Sequence, residues 1–219
     1  MLKKIGIALV VLVAVLVAVI STRPSSYTVL RSGTTTAGPD VVYGMIADLH
    51  RWVDWSPWEK LDPAQKRTFS GAPYGKGAVF EWEGNDKIGQ GRMTIVDATV
   101  PTSVALKLEF IKPFTSTNDV QFQIERGAGD TRVTWSMSGH NDFMGKAMSL
   151  FMDMDKMIGP DFERGLAELK TASEAEEKKR AEAEAAAKAA AAAADAAKAA
   201  AAAVAVAPSS AAEKAPAGK

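Results

Sequence analysis

The sequence predicts an α+β fold, with one antiparallel sheet of about seven strands closed over a terminal helix. Three observations lead to it. Between about Ser25 and Lys170 several consecutive runs alternate apolar and polar residues with period two, the signature of antiparallel strands with one buried face. From Met144 to Leu169 the apolar spacing changes to three and four, which marks an amphipathic helix. Both flanks differ from this middle: residues 5–20 contain no charge, and almost everything after Leu169 is alanine, glutamate or lysine.

The chain opens with "MLKKIGIALVVLVAVLVAVISTR", in which Lys3 and Lys4 precede an unbroken apolar run from Ile5 to Ile20. As a helix this run extends roughly 24 Å, slightly short of the roughly 30 Å hydrocarbon core of a bilayer, and Ser21 and Thr22 can lengthen it. A signal anchor is expected here, with a cleaved signal peptide as the alternative; no A-x-A cleavage pattern follows the run. The paired lysines favour a cytoplasmic amino terminus, although Arg23 weakens the asymmetry.

"SYTVLRSGTTTA" is β-branched and aromatic and predicts the first strand. In "GPDVVYGMIADLHRW" residues Val41, Val42, Met45, Ile46 and Leu49 recur at helical spacing, and Asp40 suits an N-cap or first-turn acid. "RWVDWSPWEK" then places three of the five tryptophans within seven positions. Pro57 prevents a continuous helix there and biases Ser56 toward extended backbone.

Five alternating runs follow. Phe80 and Trp82 share a face in "KGAVFEWEG", as do Met93 and Ile95 in "GRMTIVDATV" and Val104, Leu106, Leu108 and Phe110 in "SVALKLEFI". "NDVQFQIE" alternates Val120, Phe122 and Ile124, and "TRVTWSMSG" alternates Val133, Trp135 and Met137. Turn chemistry at "GND", "VPTS" and "RGAGDT" separates them. The apolar stripe from Phe143 to Leu169 predicts one long helix, kinked or restarted at Pro160. Beyond it, alanine and the pairs Glu174 to Lys178, Glu176 to Arg180 and Glu184 to Lys188 predict a helical extension. "PSSAAEKAPAGK" has no periodicity and is expected to be disordered.

Composition excludes several functions. With 26 basic and 26 acidic residues the net charge is zero, so no field draws nucleic acid. The absence of cysteine removes thiol nucleophiles, disulfides and cysteine metal sites. The two histidines, His50 and His140, lie far apart without a metal-ligand spacing, so neither a metal nor a cofactor is expected.

The element order, with "VVYGMIADLHRWVDWSPW", "GKGAVFEWEGNDKIGQGRMTI", "TRVTWSMSG" and "GPDFERGLAELK", resembles the START-like helix-grip superfamily, also called SRPBCC, and within it the bacterial polyketide cyclase/dehydrase-like members. The resemblance covers roughly residues 25–171. It implies a strongly curved sheet wrapped around the carboxy-terminal helix, two short helices after the first strand, and an internal cavity that members use for lipids, polyketides or other hydrophobic molecules. On that architecture Trp55 and Trp58 are expected to anchor a lid to the hydrophobic body, with Trp52 partly exposed at its edge.

Four segments are therefore expected: 1–24 as a transmembrane signal anchor, 25–171 as the helix-grip domain, 172–207 as a helical extension and 208–219 as a disordered tail. Trp82, Phe110, Phe122, Trp135, Met148, Phe151 and Met152 are the candidates for lining an apolar pocket; methionine suits adaptable apolar surfaces. For acid–base chemistry only Asp54, Glu59 and His140 stand out, His140 in a loop after the last strand. Glu81, Asp97 and Glu109 alternate to the outer sheet face, and Gly89 and Gly91 precede a strand, not a helix, so they read as a hairpin or bend and not as a dinucleotide site. The favoured function is a non-catalytic, membrane-anchored binding domain for a hydrophobic small molecule or lipid, in a bacterial inner membrane with the domain on the periplasmic side. The alternatives are a cyclase/dehydrase-like or hydrolytic enzyme and a scaffold whose tail reaches an envelope partner.

Overall fold

A computed structural model describes residues 2–206, with side chains through residue 200; the tail at 208–219 lies outside the described residues. The described residues divide into one compact unit that ends at Glu177 and a second that begins at Lys178.

In the first unit, α1 (Leu2–Ser21) is followed by β1 (Ser26–Thr35), α2 (Pro39–Ala47) and a 3-10 helix (Leu49–Asp54). The meander β2 (Lys66–Gly71), β3 (Ala78–Glu83), β4 (Gln90–Thr99), β5 (Ser103–Lys112), β6 (Ser116–Arg126) and β7 (Thr131–His140) comes next, then α3 (Phe143–Met148) and the first part of α4 (Met154–Val206), whose residues from Lys178 belong to the second unit. The seven strands form one antiparallel sheet in the order β1-β7-β6-β5-β4-β3-β2. This is the helix-grip arrangement, with the short helices after the first strand and the long helix at the carboxy-terminal end.

Local chemistry explains the early elements. Pro39 occupies the first turn of α2, where its missing N–H costs nothing, and Asp40 is a first-turn acid while Gly38 is the N-cap. Asp48 caps the 3-10 helix by accepting from the His50 N–H at 3.0 Å. Trp52 Nε1 donates to the Ile46 carbonyl at 2.9 Å and Trp55 Nε1 to the Met45 carbonyl at 3.0 Å. Both indoles are buried, so each bond satisfies a donor that would otherwise be stranded.

Three expectations are corrected. First, the helix break lies at Ser149–Asp153, between α3 and α4, while α4 runs through Pro160. The bond that Pro160 cannot make would have gone to the carbonyl of Lys156, an exposed residue whose carbonyl water can serve. Second, Trp52 is buried and Trp58 is the half-exposed member of the cluster, because the 3-10 helix turns the Trp52 indole inward onto α2. Third, His140 is the last residue of β7, paired with Ser26, and is exposed.

Helix α4 lies on the inner face of the sheet through Phe162, Leu166 and Leu169, all buried. A Cβ at Gly165 would sit 2.8 Å from the Trp135 ring and 3.1 Å from Pro57, so only glycine allows this approach. Arg31 on β1 ties down the start of α4, donating to Asp155 at 2.8 Å and to Glu163 at 2.7 Å. The packing continues past Thr171. Ser173 is fully buried, the Glu174 carboxylate accepts from the Thr36 N–H at 3.0 Å, and Glu176 pairs with Arg51 at 3.0 Å. Glu174 thus turns to β1 and not to Lys178 as its spacing suggested.

α1 is long and apolar enough to cross a membrane, and among its residues only Ile20 is buried. In the second unit, the described residues are helical to Val206, with Lys178 and Glu182 paired at 3.9 Å.

Candidate functional site

The inner face of the sheet and the first turns of α4 enclose a cavity of about 190 Å3. Its floor is aromatic. Trp135, backed by Phe122 with ring centroids 4.9 Å apart, stacks on Phe162 of α4 at 4.1 Å. Trp58 meets both Trp135 and Phe162 edge-on at 5.8 and 6.2 Å, the geometry that aromatic quadrupoles favour. Phe80, Met93, Val120 and Met137 complete the buried wall.

The mouth is built from half-buried residues: Trp82, Ile88, Leu108, Phe110, Trp58 and Ile158. Trp82 meets Phe110 edge-on at 6.0 Å, and its Nε1 donates to the Ile88 carbonyl at 3.0 Å. Gly91 makes room for it, since a Cβ there would collide with the Trp82 ring and with the Glu109 carbonyl. Gly89, in the left-handed region at φ +61°, closes the preceding turn. The hairpin reading of these glycines therefore holds, with a register shift between Gln90 and Gly91.

Polar groups are few. Ser56, Glu59, Gln65 and Lys87 border the cavity. Glu59 Oε2 accepts from Arg67 Nη2 at 2.6 Å, Arg67 Nε at 2.9 Å and Gln65 Nε2 at 3.1 Å. That carboxylate is held as a structural ion pair. Trp135 Nε1 is buried with no hydrogen-bond partner among the described residues, an uncompensated donor on a side chain that lines the cavity.

Of the residues singled out from the sequence, Trp82, Phe110 and Trp135 come together around the cavity. Phe122 lies behind Trp135, fully buried and packed edge-on against the Trp52–Trp55 pair at 6.0 Å from each ring. Met148, Phe151 and Met152 are outside the lining and exposed, because the helix breaks where one continuous stripe was expected. Sequence reasoning missed Trp52, Phe162 and Ile158 as lining residues; the helical stripe contained the last two, but nothing in their spacing set them apart from the methionines.

The acid–base candidates do not converge. Asp54 pairs with Arg51 at 3.5 Å, Glu59 with Arg67, and His140 stands at the end of β7. A second depression of about 170 Å3 contains His50 and Ser70. There His50 Nδ1 meets Asp48 at 3.1 Å and its ring stacks on Phe69 at 4.0 Å, but no His50 to Ser70 hydrogen bond completes a triad. Among the described residues no three His, Cys, Asp or Glu side chains are grouped to hold a metal.

Solved structures of other proteins share the fold. An uncharacterized protein of Rhizobium leguminosarum superposes with a TM-score of 0.51 at 12% identity, covering 68% of this chain and 95% of its own. A Chromobacterium violaceum protein gives 0.50 at 10% identity, covering 67% and 96%. No curated protein matches the chain by sequence. The sequence profile of the family described as polyketide cyclase/dehydrase and lipid transport matches residues 28–174, which begin inside β1 and end where α4 makes its last contacts with β1. That span contains strands β2–β7 whole, most of β1, the turns of α4 that pack on the sheet and every residue that lines the cavity, and the chain belongs to the polyketide cyclase/dehydrase and lipid transport family.

Proposed function

We propose that the domain binds one hydrophobic molecule in the cavity between sheet and α4, without catalysis, while α1 holds it at a membrane. The observation that carries this reading is the cavity itself: aromatic and aliphatic on nearly every side, with a buried donor, Trp135 Nε1, left without a partner among the described residues, and no convergent acid–base set. A mostly apolar pocket with a few polar groups is the usual form of a small-molecule site. At about 190 Å3 it is below the roughly 300–1,000 Å3 of drug-sized sites, which favours a single acyl chain or small ring system over a whole two-chain lipid. A ligand acceptor such as a carbonyl or ester oxygen would satisfy Trp135.

The family also contains cyclase-like function, and Glu59 is the one carboxylate at the cavity. Its engagement by Arg67 and Gln65 favours a positioning role over proton transfer. Lys3 and Lys4 support an orientation with the amino terminus in the cytoplasm and the domain on the far side of a bacterial inner membrane.

The full chain purified in bilayer discs and extracted with organic solvent should release a hydrophobic compound, identified by mass spectrometry, in stoichiometric amount. Phe162→Trp, which fills the cavity, should release markedly less. Equal recovery from both proteins, or recovery of bulk lipid alone, would refute the cavity as the binding site.

A further inference from the structure

The strand register brings one set of strand ends to a single rim of the sheet. Ser26 pairs with His140, Asn118 with Gly139, Phe110 with Ser116, Gln90 with Lys112, and Lys66 with Glu83. The cavity mouth lies at this rim, because Trp82, Ile88 and Phe110 belong to it. α1 reaches the sheet at the same rim, since it leads into Ser26, and α3 leaves from it after His140.

The rim also carries large exposed apolar side chains. Phe151 is 89% exposed and Phe114, in the β5–β6 turn, 73%; Phe143, Met144, Met148 and Ile111 are exposed on elements that start or end at the same rim. Single exposed hydrophobics are unremarkable, but a group of this size gathered at one end marks a contact surface.

The exit of α1 is strapped to that end. Arg23 Nη2 donates to the Ser149 carbonyl at 2.9 Å, and the Asn141 N–H donates to the Ser25 carbonyl at 2.9 Å. Ile20, in the last turn of α1, is buried. Residues 22–25, a link of about 14 Å at most, therefore do not act as a loose tether. Whatever surrounds α1 must also lie close to Phe143, Met144 and Phe151.

We infer that this rim is a membrane-contact surface: Phe114, Phe143, Met144 and Phe151 enter the interface of the bilayer that α1 spans, and the cavity mouth opens beside it. The inference rests on the reading of α1 as a membrane span. Charges near the patch are of both signs, including Lys146, Lys156, Asp142 and Asp153, so apolar burial and not attraction to anionic lipid carries the contact. A mouth held there exchanges its contents with bilayer hydrocarbon without passage through bulk water.

The chain has no cysteine, so single introduced cysteines can carry an environment-sensitive fluorophore without background. Leu12→Cys, Phe114→Cys, Phe151→Cys and Val100→Cys would be labelled in the full chain, in discs of phosphatidylethanolamine and phosphatidylglycerol; Val100 is exposed at the opposite rim. The inference expects blue-shifted emission, loss of quenching by iodide and gain of quenching by nitroxide lipid at 12, 114 and 151, but not at 100. Emission at 114 and 151 matching that at 100, with 12 still in lipid, would overturn the contact and leave the anchor standing. Aqueous emission at 12 would remove the anchor and this inference with it. Shielding of 114 and 151 from both quenchers would overturn lipid contact in favour of a covering protein.

Discussion

The ring of Phe162 on α4 stacks on Trp135 of β7 with centroids 4.1 Å apart and planes 11° from parallel. The pair fastens the grip helix to the sheet and forms part of the cavity lining. Phe162→Ala should lower stability by about 3–5 kcal/mol, the usual cost of deleting a buried phenylalanine ring. Urea denaturation of the full chain, followed by tryptophan fluorescence, measures it. A change under about 1 kcal/mol would mean that Leu166 and Leu169 hold the helix without it.

Two neighbouring tryptophans should separate stability from binding. Trp55 is fully buried and its Nε1 is bonded to Met45, so Trp55→Ala should cost about 3–5 kcal/mol and change ligand preference little. Trp58 is half-buried and borders the cavity, so Trp58→Ala should cost less than about 2 kcal/mol yet weaken retention of an apolar fluorescent probe. The opposite ranking in the two assays would refute this division.

Much of this architecture was legible because burial imposes period. Five strands announced themselves through residues such as Phe80 and Trp82 or Val133 and Trp135, whose inner-face partners the core demands. β2 did not, since of its six residues only Arg67 is partly buried; an edge strand with no buried face leaves no alternation to read. The helix break failed to show for the reverse reason. Met148, Phe151 and Met152 continue the apolar stripe although they face outward, and spacing cannot distinguish a side chain kept for a core from one kept for another apolar contact. The tryptophan cluster was legible as closure, but which indole turned inward depended on the 3-10 helix and on carbonyl partners ten or fewer residues away.

Truncation should place the end of the folded domain at Glu177 and not at Thr171. Residues 173–177 contribute the buried Ser173, the Glu174 contacts with Thr35 and Thr36, the Arg51 pair with Glu176 and the Glu177 bond to the Gly38 N–H. A chain ending after Glu177 should unfold with the midpoint of the full chain, and one ending after Thr171 at a clearly lower denaturant concentration. Identical midpoints would show that the last turns of the helix in this unit add nothing.

Acid stability should depend on Glu174 and Asp155. The Thr36 N–H bonded to its carboxylate holds the Glu174 pKa below the ordinary value of 4.5, and the hydrogen bonds from Arg31 hold Asp155 below 3.8. Depressed folded-state values mean stability that is fully present above the unfolded pKa and is lost as pH falls through the folded one. Glu174→Gln should therefore be less stable than the native chain at neutral pH, with the gap closing below about pH 4.5. A gap that is constant down to strongly acidic pH would show that the contact is steric and not ionic.

Gly91 tests whether the mouth of the cavity is set by the sheet or by its own side chains. A Cβ at this position would meet the Trp82 ring and the Glu109 carbonyl on the neighbouring strand. The carbonyl belongs to the β4–β5 ladder and cannot retreat without breaking register, whereas the Trp82 indole can swing if it gives up its bond to the Ile88 carbonyl. Gly91→Ala should thus cost about 1–3 kcal/mol as an overpacked site, and it should red-shift the fluorescence of Trp82 as the ring moves into solvent. In a Trp82→Phe background, where a smaller ring leaves room, the same substitution should cost much less. An equal cost in both backgrounds would assign the strain to the Glu109 carbonyl alone, and the position of Trp82 would then follow from the backbone and not from the missing side chain.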